Sequence, residues 1–397
     1  MGILPSKPIF FQWASRAERK LPKPSLLEHD YHYDGKVIII GAGASGLAAA
    51  RILQEHNIEF TILEATDRLG GRLKEDTSFA NFPVDLGAEW IHNLPSILDV
   101  LSGEPNKHQE IDLVRNWYTD TCSWDGGEKL KQHAGYFFPL FHRFMPEYKF
   151  QTSTWYDFVT KNVAAKHVED HIRFNAPVSK IDYRGSKVVV TTQDGQQHEA
   201  DKVIITASVG VLRSGNVHFV PDLPQDKKKA LENIHFPKGF KLALKFSKKF
   251  YPDFIVGPVP LGKGEMGYYD MAFGKGDKAD CVATLLATGA GAESYYSVGS
   301  EKAIVQKALQ ELDAMYGGEA TRSFTGEYRF QDWGNHEFTQ GTWVEGFRIS
   351  KKMLRSLARP LEDKVYFAGE VLDTYQQLGV PGAILSGYKA ISDMLAP

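Results

Sequence analysis

Four β-branched residues in a row, Val37-Ile38-Ile39-Ile40, run directly into Gly41-Ala42-Gly43-Ala44-Ser45-Gly46. A continuous apolar run of this kind predicts a parallel strand covered on both faces. Leu47 to His56 then reads as an apolar-periodic helix, and Glu59 to Leu63 as a second strand that ends at Glu64. The result is a β-α-β unit with its glycines at the first turn. Each glycine has a separate task there: Gly41 permits the tight turn, Gly43 lets the backbone approach a pyrophosphate, and Gly46 lets the helix pack on the strand. The main chain from Gly41 through Ala42, Gly43, Ala44 and Ser45 to Gly46 thus offers amide donors at the positive end of a helix dipole. Glu64, followed by Ala65, stands where a carboxylate accepts from ribose hydroxyls. A dinucleotide-binding α/β domain is expected.

The remaining chain organises around this unit. Residues 1–34 lack periodicity and mix prolines with charges, as in RAERKLPKPS, which reads as an N-terminal extension. Met1-Gly2 with Ser6 matches the loose myristoylation pattern, but Pro5 sits inside it and a flexible leader is the better reading. His171 to Ala207 alternates as strands, with Gln193-Asp194-Gly195 as a hairpin turn. Between Leu94 and Ala165 the pattern is helical and aromatic; Pro237 to Arg329 mixes strands with one helix, Glu301 to Met315. Lys364 to Glu370 closes as a strand, followed by a helix from about Pro381 to Leu395. These pieces predict a discontinuous dinucleotide domain, 35–105 with 170–235 and 340–397. A second, smaller α+β domain is predicted over 106–169 with 236–339, covering the substrate.

Charge and cysteine content exclude several functions. The chain carries 46 basic and 49 acidic residues, interspersed, for a net charge of -3, so no nucleic-acid footprint is expected. Cys122 and Cys281 have neither metal-ligand spacing nor the density of a disulfide scaffold, and no metal is expected. The sparse cysteines favour a reducing compartment, with the cytoplasm expected, and no apolar run is long enough for a membrane span, so a soluble protein is expected. No serine elbow or metal motif argues for another chemistry.

After Glu64 comes Thr66-Asp67-Arg68-Leu69-Gly70-Gly71-Arg72, which resembles the double-glycine stretch of FAD enzymes of the glutathione-reductase type. Four further segments follow in order. They are Asp85-Leu-Gly-Ala-Glu-Trp-Ile-His92; Lys202-Val-Ile-Ile-Thr-Ala-Ser-Val-Gly-Val-Leu212 with Pro221 and Leu223-Pro224; Phe240-Lys-Leu-Ala-Leu-Lys-Phe246; and Phe367-Ala-Gly-Glu370 leading into Val380-Pro-Gly-Ala-Ile-Leu-Ser-Gly387. Together these resemble the flavin amine oxidase family, which includes monoamine and polyamine oxidases. The resemblance implies non-covalent FAD, a small-molecule amine substrate and O2 as oxidant. Hydride would pass from the carbon next to nitrogen to the flavin, with imine hydrolysis and peroxide release.

Residue by residue, the resemblance assigns Glu64 to the adenosine ribose, Gly71 and Arg72 to the flavin side, and Gly87, Ala88, Glu89 and Trp90 to the ribityl and ring. It assigns Val178 to the adenine through its backbone, and Gly369 with Glu370 to the ribityl and pyrophosphate. The last helix, by its dipole, would face a reduced ring from Val380 to Ala383, with Gly382 small enough for close approach. Lys241, alternating with Ala243 and Lys245 on one strand face, resembles the family lysine that holds a water against flavin N5; Lys238 and Lys245 compete for that role. Trp333 and Trp343 fall in the segment that bears flavin-facing aromatic residues, Trp343 as one wall of a cage. The opposite wall, where monoamine oxidases have tyrosine, reads Gln377-Leu378-Gly379. Thr342 stands where covalent members carry cysteine. His92 matches a residue near the substrate amine in some polyamine oxidases.

Relative to the family, the stretch between His92 and Val178 is short and lacks a glycine-rich segment. Two alternatives stay open. One is a flavoprotein oxidoreductase of the same fold acting on a non-amine or amino-acid substrate; an amino acid would require an arginine aimed at its carboxylate, and Arg115, Arg143 and Arg348 are candidates. A flavin-binding protein without turnover is the other.

Overall fold

A computed structural model describes residues 30–116, 118–127, 130–132, 147–260, 262–344, 349–373 and 379–395. Val37–Ile40 is a fully buried strand at the centre of a five-stranded parallel sheet. Phe60–Leu63 lies on one side of it and Lys202–Ile205 on the other, flanked in turn by Ile172–Arg173 and Val365–Phe367. The β-branched composition of the central strand follows from this position, since both of its faces meet apolar side chains.

The first helix runs Ala44–Glu55, three residues earlier than its apolar periodicity suggests. The glycine turn itself feeds the helix: Gly43 is the N-cap, and the Leu47 amide already donates to the Gly43 carbonyl. Gly46 lies where a Cβ would sit 2.0 Å from the Gly41 carbonyl oxygen, so only glycine allows this turn and helix to meet. The last helix, Val380–Leu395, packs along the first one. That close approach depends on Gly387, where a Cβ would come within 2.3 Å of the Ser45 carbonyl oxygen. The crossing delivers the N-terminus of the last helix to the C-terminal edge of the parallel sheet, beside the glycine turn.

A four-stranded sheet stands beside this one: Gln197–Ala200, Val188–Thr192, Val178–Asp182 and His218–Val220. The hairpin at Gln193 to Gly195 joins two of its strands as expected. The third sheet has seven strands, in the order Phe324–Asp332, Gly239–Phe246, Cys281–Thr288, Met266–Asp270, Phe254–Val256, Thr121–Trp124, Leu130–Gln132. One of its faces is closed by the helix Glu301–Tyr316 through Phe240, Leu242, Leu244 and Leu285. The other carries Lys241, Ala243 and Tyr269 toward the 79–89 segment, as period-2 alternation requires.

The helical reading of Leu94 to Ala165 needs correction. The helices Ile97–Ser102 and Trp155–Asn162 are there, but Leu113–Arg115, Thr121–Trp124, Leu130–Gln132 and Tyr148–Phe150 are strands. Each has only three or four residues, too few for a period of 2 to be told from one of 3.6. One of them also takes a partner far away in sequence: Phe254–Val256 pairs with Thr121–Ser123. No described helix is long and apolar enough to cross a membrane, and the described residues hold no cluster of potential metal ligands.

Candidate active site

A cavity of about 350 Å³ begins at the glycine turn and ends against the seven-stranded sheet. At its first end Gly41, Gly43, Ala44 and Ser45 form the wall, while Ala42 and Gly46 stand behind it. A Cβ on Gly43 would meet nothing within 4 Å, so the bareness of this residue serves the empty space in front of it. Gly369 shows the same feature on the opposite side. Glu64 is buried and accepts from the Ala42 amide at 2.7 Å and from the amide and hydroxyl of Thr66 at 2.9 and 2.7 Å. An ionised carboxylate has about four lone-pair sites, so one remains for a ribose hydroxyl. Ala65, Ala176, Pro177, Val178 and Gln193 continue the wall at this end.

In the middle, Gly71 and Arg72 face Gly369 and Glu370. The Arg72 guanidinium makes a bidentate pair with Glu370 and donates to the Thr342 carbonyl. The two residues expected on the cofactor side are thereby each other's partners. Arg68 is held by the carbonyls of Leu69, Gly71 and Leu73 and lies 5.9 Å from the Trp333 ring. Trp333 is fixed by a bond from its indole to the Leu86 carbonyl. The last helix contributes Val380, Pro381 and Ala383 to the wall, and Gly382 is buried without being among the lining residues. Pro381 has no N–H and the Ala383 amide donates to Gly379, so of the four positions only Val380 and Gly382 can offer amides to an anion. The helix-dipole expectation narrows accordingly.

At the far end Gly87, Ala88, Glu89, Trp90, His92, Lys241, Thr342 and Trp343 come together from segments distant in sequence. All three candidates for direct action on substrate, Lys241, Trp343 and His92, line the same cavity. Of the competing lysines, Lys238 donates to Asn335, and Lys245 donates to Phe79 and pairs with Asp280. Gln377 and Leu378 of the expected opposite cage wall lie outside the described residues, while Gly379 lines the cavity.

Lys241 differs from its expected role. Its ammonium donates to the Asp85 carbonyl at 2.8 Å, the Gly87 carbonyl at 3.0 Å and the Glu89 carboxylate at 2.9 Å. All three of its protons therefore have protein acceptors. Glu89 also accepts from the Tyr269 hydroxyl at 2.6 Å, and Lys149 stands 3.8 Å away on its other oxygen. Burial drives the Glu89 carboxyl up most strongly, but Lys241 and Lys149 outweigh it and hold the group below its ordinary value. Burial depresses Lys149 to about 8, against the pull of Glu89. Burial, then Glu89, push Asp85 well above the carboxylate range. Lys149 and Tyr269 escaped the sequence reading because nothing in PEYKFQ or MGYYDM distinguishes a buried polar group from a solvated one.

His92 is held by its neighbour across an isolated bridge. Ile91 and Tyr148 exchange backbone hydrogen bonds at 2.7 and 3.0 Å, which brings the His92 Nδ1 to 3.0 Å from Glu147. Glu147 had no sequence signature. Neither Cys122 nor Cys281 lines the cavity; both belong to the seven-stranded sheet.

The profile of the family described as flavin containing amine oxidoreductase matches residues 44–119 and 156–395, taking in every wall of this cavity except its first residues. The chain belongs to that family. Within it, the chain is 26% identical to lysine-specific histone demethylase 1B of Mus musculus, over 92% of this chain and 53% of that protein. It is also 26% identical to polyamine oxidase 4 of Oryza sativa subsp. japonica, over 90% of this chain and 88% of the relative. The chain spans about half the length of the histone demethylases it matches. Cyclohexylamine oxidase from Brevibacterium oxydans IH-35A superposes with a TM-score of 0.71 at 16% identity, covering 91% of this chain and 99% of that one. Wild-type putrescine oxidase bound to putrescine superposes at 0.70, with 16% identity and 92% and 100% coverage. These likenesses establish the fold: an FAD-binding, Rossmann-like domain with a substrate domain. The family's cofactor is the flavin expected from the double-glycine stretch Thr66 to Arg72 and the segments after it. The profile passes over residues 120–155, inside the stretch where the sequence departs from the family pattern.

Proposed function

We propose that the chain oxidises amines, using non-covalently held FAD as hydride acceptor and dioxygen to reoxidise it. One observation carries this reading: a single cavity joins the glycine turn to Lys241, Trp343 and His92. The bare space at Gly43 and Gly369 and the remaining acceptor site of Glu64 fit a dinucleotide. With no cysteine among the described lining residues, attachment is by contacts alone.

When bound, the flavin supplies the acceptance of a hydride from the carbon next to nitrogen. The chain's own residues do the rest. The amides of the glycine turn hold the diphosphate, and Val178 presents backbone to the adenine. Trp343 and Trp90 form apolar walls that exclude water from the far end. His92, whose Nδ1 faces Glu147, orients an amine or takes its proton. Glu265 and Glu337 also line the cavity and favour a substrate with a second ammonium group.

An amino-acid substrate has less support. Arg115 is exposed and outside the cavity lining, and Arg143 and Arg348 lie outside the described residues. The lining arginines, Arg68 and Arg72, are already bonded to main-chain carbonyls and Glu370. The test is peroxide release by the FAD-loaded protein from a panel of mono-, di- and polyamines and amino acids. Release from amines supports the proposal. A flavin-loaded protein silent on every amine, or reoxidised by air no faster than free reduced flavin, overturns it.

A further inference from the structure

The far wall of the cavity holds a buried ionic cluster whose single anchor comes from the opposite domain. Glu89, 4% exposed, belongs to the segment that follows the double glycine. The groups converging on it come from the substrate side: Lys241 on the strand Gly239–Phe246, Tyr269 on Met266–Asp270, and Lys149 on Tyr148–Phe150. Lys241 and Lys149 are 2% and 1% exposed. Lys275 adds a further positive charge nearby, donating to the Phe150 carbonyl, and Asp85 contributes a carboxyl whose Oδ1 has no partner. The Lys241 ammonium also lies 5.5 Å from the Trp90 ring and 5.7 Å from that of Tyr269.

We propose that Glu89 is a positioning residue that pins the Lys241 ammonium to the 85–89 loop and compensates its charge, thereby setting the electrostatic potential at the flavin end of the cavity. This rests on the flavin reading above. Two features of the geometry lead to it. Lys241 has no proton left over after Asp85, Gly87 and Glu89, so in this arrangement it acts through its charge and not as a donor to a held water. Glu89 is the one carboxylate that bonds it, and the low-dielectric surroundings make each charge in the cluster felt across the cavity wall. Removing Glu89's charge leaves an excess positive charge that favours the reduced, anionic flavin. Removing Lys241's charge does the reverse.

The test is a double-mutant cycle on the flavin-loaded protein, read by the midpoint potential of the bound flavin in a reference-dye titration. In E89Q the ratio of reduced to oxidised flavin at a fixed potential is expected to rise at least tenfold. In K241M it is expected to fall at least tenfold, and in E89Q/K241M to return to within threefold of wild type. E89D, which keeps the charge, is expected to stay within threefold. Shifts of the same sign in both single variants, or no shift in either, overturn the proposal, because a merely structural role would move the two in the same direction or not at all. If E89Q alone fails to fold, K241M and the charge-neutral double variant still decide the matter: a double variant no closer to wild type than K241M overturns it. A protein that takes up no flavin at all would instead refute the cofactor reading and is seen at once from the absorbance of the purified wild type.

Discussion

The two ends of the cavity are built from opposite materials. The end at the glycine turn is nearly all main chain and glycine, with Gly41, Gly43 and Gly369 in its wall, a buried carboxylate at Glu64 and a second at Glu370 that Arg72 pairs. The far end is crowded with buried charge, with Asp85, Glu89, Lys149 and Lys241 each under 9% exposed. The first end selects its ligand by shape and amide direction, which cost little to bury because the helix N-terminus must leave donors open anyway. The second holds ions out of water, a costly arrangement that is retained only where mutual pairing offsets desolvation. The comparison teaches that sterics should govern substitutions at one end and electrostatics those at the other.

Gly46→Val tests the steric end most severely. With a Cβ 2.0 Å from the Gly41 carbonyl oxygen, the turn cannot keep its shape. The substitution is expected to cost more than about 5 kcal/mol of stability and to abolish flavin uptake, as read by denaturant melts and the visible spectrum.

At the electrostatic end, Glu89→Ala leaves Lys241 and Tyr269 without their shared acceptor. A loss of about 3–5 kcal/mol is expected, measured by urea unfolding at pH 7. A loss below about 1 kcal/mol would show that water reaches the cluster and would break the comparison.

Lys149 sharpens the same point through pH. Its folded value of about 8 lies below the ordinary 10.5, so the unfolded chain binds its proton more tightly. This group's stabilising contribution is therefore complete above pH 10.5 and is lost as pH falls through 8. Relative to Lys149→Met, the wild type should gain on the order of 3 kcal/mol between pH 7 and pH 10. A pH-independent difference would contradict the burial of the charge.

Gly43→Ala gives the smallest effect and separates binding from folding. The residue has φ -76° and open space at its Cβ, so alanine is unstrained there. Stability should stay within about 0.5 kcal/mol of wild type. FAD affinity, titrated by fluorescence quenching, should fall roughly tenfold, or about 1.4 kcal/mol, because the added methyl occupies the ligand's space.

Legibility in the sequence divides along the same line. The β-α-β unit, the hairpin at Gln193 to Gly195 and the helix starting at Glu301 were readable because their signals are local: a β-branched run, a turn tripeptide, an apolar period. The glycine turn from Gly41 to Gly46 and the carboxylate at Glu64 were readable because backbone tasks demand particular residue types at particular offsets, whereas the lining residues from Gly71 to Glu370 were named only through the family resemblance. The short strands within 113–150 were not readable, since three or four residues carry no period and one of them, Thr121–Trp124, takes a partner more than 100 residues away. Nor were Glu147 beside His92, or Lys149 and Tyr269 beside Glu89, because a lysine or tyrosine in an alternating strand looks the same whether its face meets water or another domain.

By itself the sequence determined that a strand would turn into a helix over bare backbone, because only glycine permits that turn and leaves that space open. It also determined which strand face Lys241 shares, since alternation follows from the pleat. Only the tertiary structure decided what that face meets. Docking the seven-stranded sheet against the 85–92 segment excludes water from Lys241 and gives each of its protons a protein acceptor, and the partners of a buried charge are set by which distant surfaces close upon it.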